Sequence, residues 1–143
     1  MADSLTERFQ PITYTLLRIV AAFVFMPHGA QKLLGWFREN PGTADLFSIT
    51  GLAGTIELVG GLLILVGLLT RPVAFIAAGE MAVAYWWRHF PRDFWPIQNG
   101  GELAVLYCFI FLLIWAHGPG RWSVDAWLAA RRASEAAPSA PAG

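Results

Sequence analysis

Charge is what this chain has least of. Lys, Arg, Asp and Glu make up 14% of its 143 residues, where an ordinary soluble domain carries about 25%. A water-facing surface so poor in Lys and Glu would aggregate. The shortage therefore argues against a soluble protein more strongly than the 56% apolar content argues for a membrane. Ten basic residues cancel ten acidic ones, which leaves no positive excess to hold a nucleic-acid backbone. Cysteine occurs once, as Cys108, which excludes an intrachain disulfide and a self-contained dithiol motif. The three histidines, His28, His89 and His117, are scattered. With one cysteine they make no metal site, and no flavin, haem or iron–sulfur motif occurs.

Long apolar runs are what the chain has instead, and its mean hydropathy is +0.50. Four runs, at 12–34, 50–69, 72–87 and 101–117, approach the ~20 residues that span a hydrocarbon core. The first reads as a retained helix and not as a cleaved leader, since His28-Gly29-Ala30 lacks the small-x-small pattern and Arg18 interrupts the apolar stretch. Pro27 is expected to kink this run or end its regular part. The very short link at 70–72 turns the third run straight back against the second. Ala74, Ala78 and Ala82 form a row of small residues that lets helices approach closely. Ser123 is placed to cap a short helix at 124–132, whose Val124, Trp127 and Leu128 share a stripe suited to the membrane surface. Residues 133–143 read as a disordered tail. The expected fold is all-α: one integral membrane four-helix bundle over 1–132, with a short C-terminal interfacial helix.

The tryptophans follow the same plan. Trp36, Trp86, Trp87 and Trp95 gather at one edge, and Trp115, Trp122 and Trp127 at the other, as interfacial belts do. Four spans put both termini on one side, with Arg8, Arg71, Arg121, Arg131 and Arg132. The opposite side holds Arg38, Arg88 and Arg92, with Lys32 if it reaches the interface. That bias places the termini in the cytoplasm.

The informative residues are those that do not belong in lipid. A charge at the bilayer centre costs ~2.5–3.5 kcal/mol on insertion scales, so each asks for a partner or a task. Arg18 and Lys32 are fourteen residues apart, about four turns, and face the same way. Gly54, Glu57, Gly60 and Gly61 share a face. The simplest arrangement packs Glu57 and Glu102 toward that Arg18/Lys32 face, as a buried polar centre of Arg18, Lys32, Glu57 and Glu102. Candidates for a ligand or proton site are His28, Glu80, His89, Asn99 and Glu102. Among them His89, Asn99 and Glu102 border the aromatic loop beside Lys32. Two readings stay open for these charges: ion pairs that fix helix register, or groups that bind and move something.

Four motifs in order resemble the DoxX family of small bacterial four-helix membrane proteins. They are Arg18 leading into PHGAQKLLG (27–35), GTIELVGGLLILVGLLTR (54–71), His89 with NGGE (99–102), and GPGRWSVD (118–125). The resemblance covers roughly 16–125. It implies a compact bundle in a bacterial plasma membrane. It also implies membership in assemblies tied to quinone-linked sulfur oxidation or to thiol and oxidative stress, beside other protein subunits. Related branches look like chaperones or cargo receptors. The leading expectation is therefore a membrane subunit of a redox-linked complex that handles a quinone or similar lipid-soluble carrier, with electrons supplied by a partner. The alternative is a non-catalytic scaffold or assembly factor; the expected partners are the lipid bilayer and a protein subunit or further copies of the chain in a homo-oligomer. A small proton-coupled transporter comes third, since four helices are few for that task.

Overall fold

The structure, a computed structural model, describes residues 2–39 and 42–136. Among them there is helix and no strand. Helix α1 is Ala2–Leu33 and α2 is Ile49–Val66, the latter with a π-helical stretch at Ile56–Gly60. Helix α3 is Thr70–Ala84 and runs on into a second π-helical stretch, Tyr85–His89. A single turn at Pro96–Asn99 precedes α4 (Glu102–His117), and α5 is Val124–Ala136. Two helical stretches, Leu5–Leu33 and Ile49–Val66, are long and apolar enough to cross a membrane; Glu102–His117 is apolar but shorter.

Several boundaries differ from those expected. The first helix begins at Ala2, ten residues before the apolar run, and passes both Pro11 and Pro27 without ending. Its first turns are charged but rich in good helix formers, and a helix need not stop where lipid stops. Helix α2 ends at Val66 because Gly67 adopts a left-handed backbone (φ +74°). There Leu68 N–H reaches back to Leu63 O at 2.9 Å, closing a Schellman-type end. The last helix continues to Ala136, so 133–136 are helical; the remainder of the expected tail, 137–143, lies outside the described residues.

Helix α1 packs antiparallel along α2, and α3 along α4. Glycine makes the first contact possible. A Cβ on Gly29 would sit 2.5 Å from the backbone N of Leu58, and one on Gly61 2.6 Å from Met26 Cγ. The alanine row does the same for α3, where Ala74, Ala77 and Ala78 are buried. Phe25, Ile64, Phe111 and Ile114 fill the centre, with the Phe25 and Phe111 rings edge to face at 4.7 Å.

One end of the bundle is closed by charged groups acting on helix termini. Arg18 is 1% exposed and donates to Ile64 O (2.5 Å), Leu65 O (2.7 Å) and Trp122 O (2.6 Å). The first two are carbonyls left over at the end of α2, where the helix dipole also favours a cation. Arg71 treats α4 in the same way, donating to Trp115 O and Ala116 O. Asp125 does the converse for α3, accepting from Leu69 N, Thr70 N and Thr70 Oγ1, each at 2.9 Å. Ser123 Oγ accepts from Ala126 N and caps α5.

Candidate functional site

The opposite end of the bundle holds a cavity of about 380 Å³. Helix α1 brings His28 and Lys32 to it, one turn apart on the face that follows Pro27. Glu57 enters from the π-helical stretch of α2, and Arg88 and His89 from that of α3. Glu80 comes from α3 itself and Tyr107 from α4. A π turn adds a residue to the helical register and re-aims the side chains near it, and such turns recur at functional sites. Here both of them carry cavity residues.

The charge arrangement is specific. Lys32 Nζ and Glu57 Oε1 form an ion pair at 2.5 Å, with Glu57 only 2% exposed. The second oxygen of that carboxylate, Oε2, is buried and has no hydrogen-bond partner among the described residues, and the same holds for Oε2 of Glu80. Buried polar atoms are nearly always satisfied, so two orphaned carboxylate oxygens around one cavity ask for a polar occupant. Phe25 and Tyr107 supply aromatic wall, their centroids 5.2 Å apart. Arg88 and Arg92 add cationic donors. A second opening, of about 470 Å³, lies between α2 and α3 and shares Lys32, Glu80, Ala84 and Arg88 with the cavity.

The structure brings together five residues singled out in the sequence: His28, Lys32, Glu57, Glu80 and His89. Three others lie elsewhere. Arg18 is bound to the far end of α2, and the fourteen residues that separate it from Lys32 amount to ~21 Å of helix rise. Facing the same way is therefore not being in the same place. Glu102 is exposed at the start of α4 and is absent from the cavity wall. Asn99 is buried, but its side chain closes a loop: Nδ2 donates to Asp93 O and Oδ1 accepts from Gly101 N. His89 touches that loop through Nδ1 and Asn99 O at 3.1 Å. The trio of His89, Asn99 and Glu102 thus divides, with His89 alone lining the cavity.

Sequence reasoning passed over Arg88, Arg92 and Tyr107. The two arginines read as loop charge and the tyrosine as one apolar-run residue among many. The π stretches leave no mark in a hydropathy pattern. Among the described residues no group of three or more His, Cys, Asp or Glu is placed to hold a metal ion.

A family model, DoxX, matches residues 13–90, the stretch that carries His28, Lys32, Glu57, Glu80, Arg88 and His89. The chain belongs to the DoxX family. An uncharacterized protein of Haemophilus influenzae is 40% identical to this DoxX chain over 83% of its length and 92% of the relative's. An uncharacterized membrane protein of Mycobacterium tuberculosis is 31% identical over 85% of the chain and 84% of its own length. A Bacillus subtilis protein named "Putative oxidoreductase CatD" is 36% identical over 44% of the chain and 49% of its own. No solved structure matches this DoxX chain.

Proposed function

We propose that this DoxX protein crosses the bacterial plasma membrane as a four-helix bundle and serves as the membrane subunit of a redox-linked complex, holding the ring of a quinone or similar lipid-soluble carrier in its polar cavity. The single observation that carries the reading is the pair of buried carboxylate oxygens around that cavity, on Glu57 and Glu80, that find no partner among the described residues. The donor set fits such a ring in both redox states. Lys32 and Arg88 offer N–H donors to the carbonyl oxygens of an oxidised ring. The free oxygens of Glu57 and Glu80 offer acceptors to the hydroxyls of a reduced one. A bound carrier supplies the redox chemistry; the chain's own groups orient it and hold a proton at Glu57 or Glu80. Electrons come from a partner subunit.

The outer surface supports the membrane reading. Phe23, Phe75, Ile76, Phe109 and Leu113 all point outward and are more than half exposed, far more apolar surface than a soluble monomer leaves open. All seven tryptophans are exposed as well. The name of the Bacillus subtilis relative points in the redox direction. The test is binding of a tail-less quinone analogue to the purified protein. Glu57→Gln and Lys32→Met each weaken it at least tenfold, while Glu102→Gln, outside the cavity, leaves it unchanged. Unaltered binding in both cavity variants ends the proposal.

The scaffold reading draws on the other end of the molecule, where Arg18 and Arg71 hold helix ends. It requires that Glu57→Gln lower folding yield as Arg18 variants do, and that the protein copurify with a partner in which no carrier is needed.

A further inference from the structure

The polar cavity continues on the α1–α4 side. Leu103 and Tyr107, part of its wall, also line a second space, an apolar groove of about 490 Å³. Helix α1 contributes Thr13, Leu16, Val20 and Val24 to this groove, and α4 contributes Leu106 and Ile110. Thr13 to Val24 is eleven residues, ~17 Å of helix rise. Because α1 packs chiefly on α2 and α4 chiefly on α3, the seam between α1 and α4 is left open. Leu16, Val20 and Leu106 are each more than half exposed along it. The two spaces together make one amphipathic site, with charge at one end and an apolar channel at the other.

We infer that the ligand of the polar cavity is a long-tailed amphiphile whose head lies among Lys32, Glu57 and Glu80 and whose prenyl or acyl tail leaves past Leu103 and Tyr107 into the α1–α4 groove. This rests on the cavity being a head-group site, and it names the ligand class: a single apolar chain on a compact polar ring. The alternative exit between α2 and α3 sets Lys32, Ser48, Thr50, Glu80 and Arg88 among an equal number of apolar residues, so a tail there would lie partly against charged and hydroxyl groups and strip their water, whereas only Thr13 and Tyr107 in the α1–α4 groove carry hydroxyls. Seating a tail in the groove gains no hydrophobic free energy, because lipid is as apolar as Leu. The groove therefore acts as a passage: it lets a molecule with a tail bring its head into an enclosed polar space.

The experiment uses two probes on the full chain in lipid nanodiscs: a tail-less quinone ring, and the same ring on a decyl chain that ends in a photoreactive diazirine. The wild type binds both, and illumination labels residues within 13–24 and 103–110. Val20→Trp fills the groove from α1 and Leu106→Trp from α4. Either one weakens the tailed probe at least tenfold and leaves the tail-less ring unchanged, which also certifies that the variant is folded. Tailed-probe binding at the wild-type level in both variants overturns the inference. So does label spread evenly over the outward faces of α2 and α3, as for bulk lipid contact. A groove protected from label by a second copy of the chain overturns it too. If neither ring binds the wild type, the carrier reading fails by itself. The same diazirine chain on a phosphate head then decides the groove alone: label confined to α1 and α4 sustains it, and uniform label does not.

Discussion

Replacing Arg18 with Met removes a buried cation and its three hydrogen bonds, taking the guanidinium donor from Leu65 O and Trp122 O and leaving Ile64 O with the Gly67 N–H at 3.1 Å. Hydrogen bonds to a charged group are worth about 1.5–3 kcal/mol each, but three on one side chain do not add independently. One offset lies in the guanidinium itself, whose Nε is buried with no partner among the described residues. The expected loss is ~3–5 kcal/mol, the range seen when one side of a buried charged contact is deleted. Over a domain of this size that corresponds to a fall in unfolding midpoint on the order of 10 °C. Arg18→Lys recovers only part of it, since an ammonium lacks the planar fork that reaches α2 and Trp122 together. The assay is the fraction of monodisperse protein that survives a heating series in detergent. Below its midpoint Arg18→Met still binds the tail-less ring as the wild type does, because the cavity lies ~21 Å away along α1. A variant as stable as the wild type within ~0.5 kcal/mol would refute the capping argument. A stable variant that loses the ring would move Arg18 into the binding site.

Gly29→Ala drives a methyl into the backbone of α2, 2.6 Å from Gly54 O, and costs ~1–3 kcal/mol in the same heating assay; Gly79→Ala, with nothing within 4 Å, is neutral or up to ~1 kcal/mol stabilising. Burial alone would raise the Asp125 carboxyl, but the hydrogen bonds from Thr70 and Leu69, helped by the nearby Arg18 charge, outweigh it and hold the group below its usual 3.8. A depressed folded value means that the unfolded chain takes the proton more readily. The stabilisation is thus complete above about pH 4 and drains away as pH falls through the lower folded value. Asp125→Asn flattens that acid limb and costs ~1–2 kcal/mol at neutral pH; an unchanged acid limb would show that the carboxylate carries no such linkage. Reporter fusions at the C-terminus are active on the cytoplasmic side only, and a reporter inserted after Arg38 on the opposite side only; the reverse pattern rejects the orientation.

Much of the scaffold was legible in the hydropathy pattern. The runs at 12–34, 50–69, 72–87 and 101–117 each fall on a helix, overrunning its ends by no more than about three residues, because regular hydrogen bonding satisfies a backbone that apolar side chains keep from water. The ends were less legible. Nothing in a hydropathy pattern says that α1 begins at Ala2, or that α5 continues to Ala136, because outside the apolar region helix length is set by propensity and packing. The site was legible in its members more than in its shape. His28, Lys32, Glu57, Glu80 and His89 stood out as charges or titratable groups in apolar runs. Arg18 and Glu102 stood out for the same reason and lie elsewhere, because angular periodicity gives a direction around a helix and says nothing of height along it.

Height is what separates structural charge from available charge in this bundle. At the end where α2 and α4 terminate, Arg18 and Arg71 are taken up by helix carbonyls, and Asp125 by the amides that open α3. Each is held by a free helix terminus, where backbone groups are short of partners. Around the cavity the situation is reversed. Glu57 sits inside α2 and Glu80 inside α3, where the backbone has its own partners and offers none. Lys32 satisfies one oxygen of Glu57, and the described residues leave the other oxygen, and one of Glu80, unmatched. A carboxylate held within a helix among apolar neighbours, with half of its hydrogen-bonding capacity unused, destabilises the fold by itself. A polar group entering from outside would offset that cost, and Leu103 and Tyr107 join the cavity wall to the apolar seam between α1 and α4.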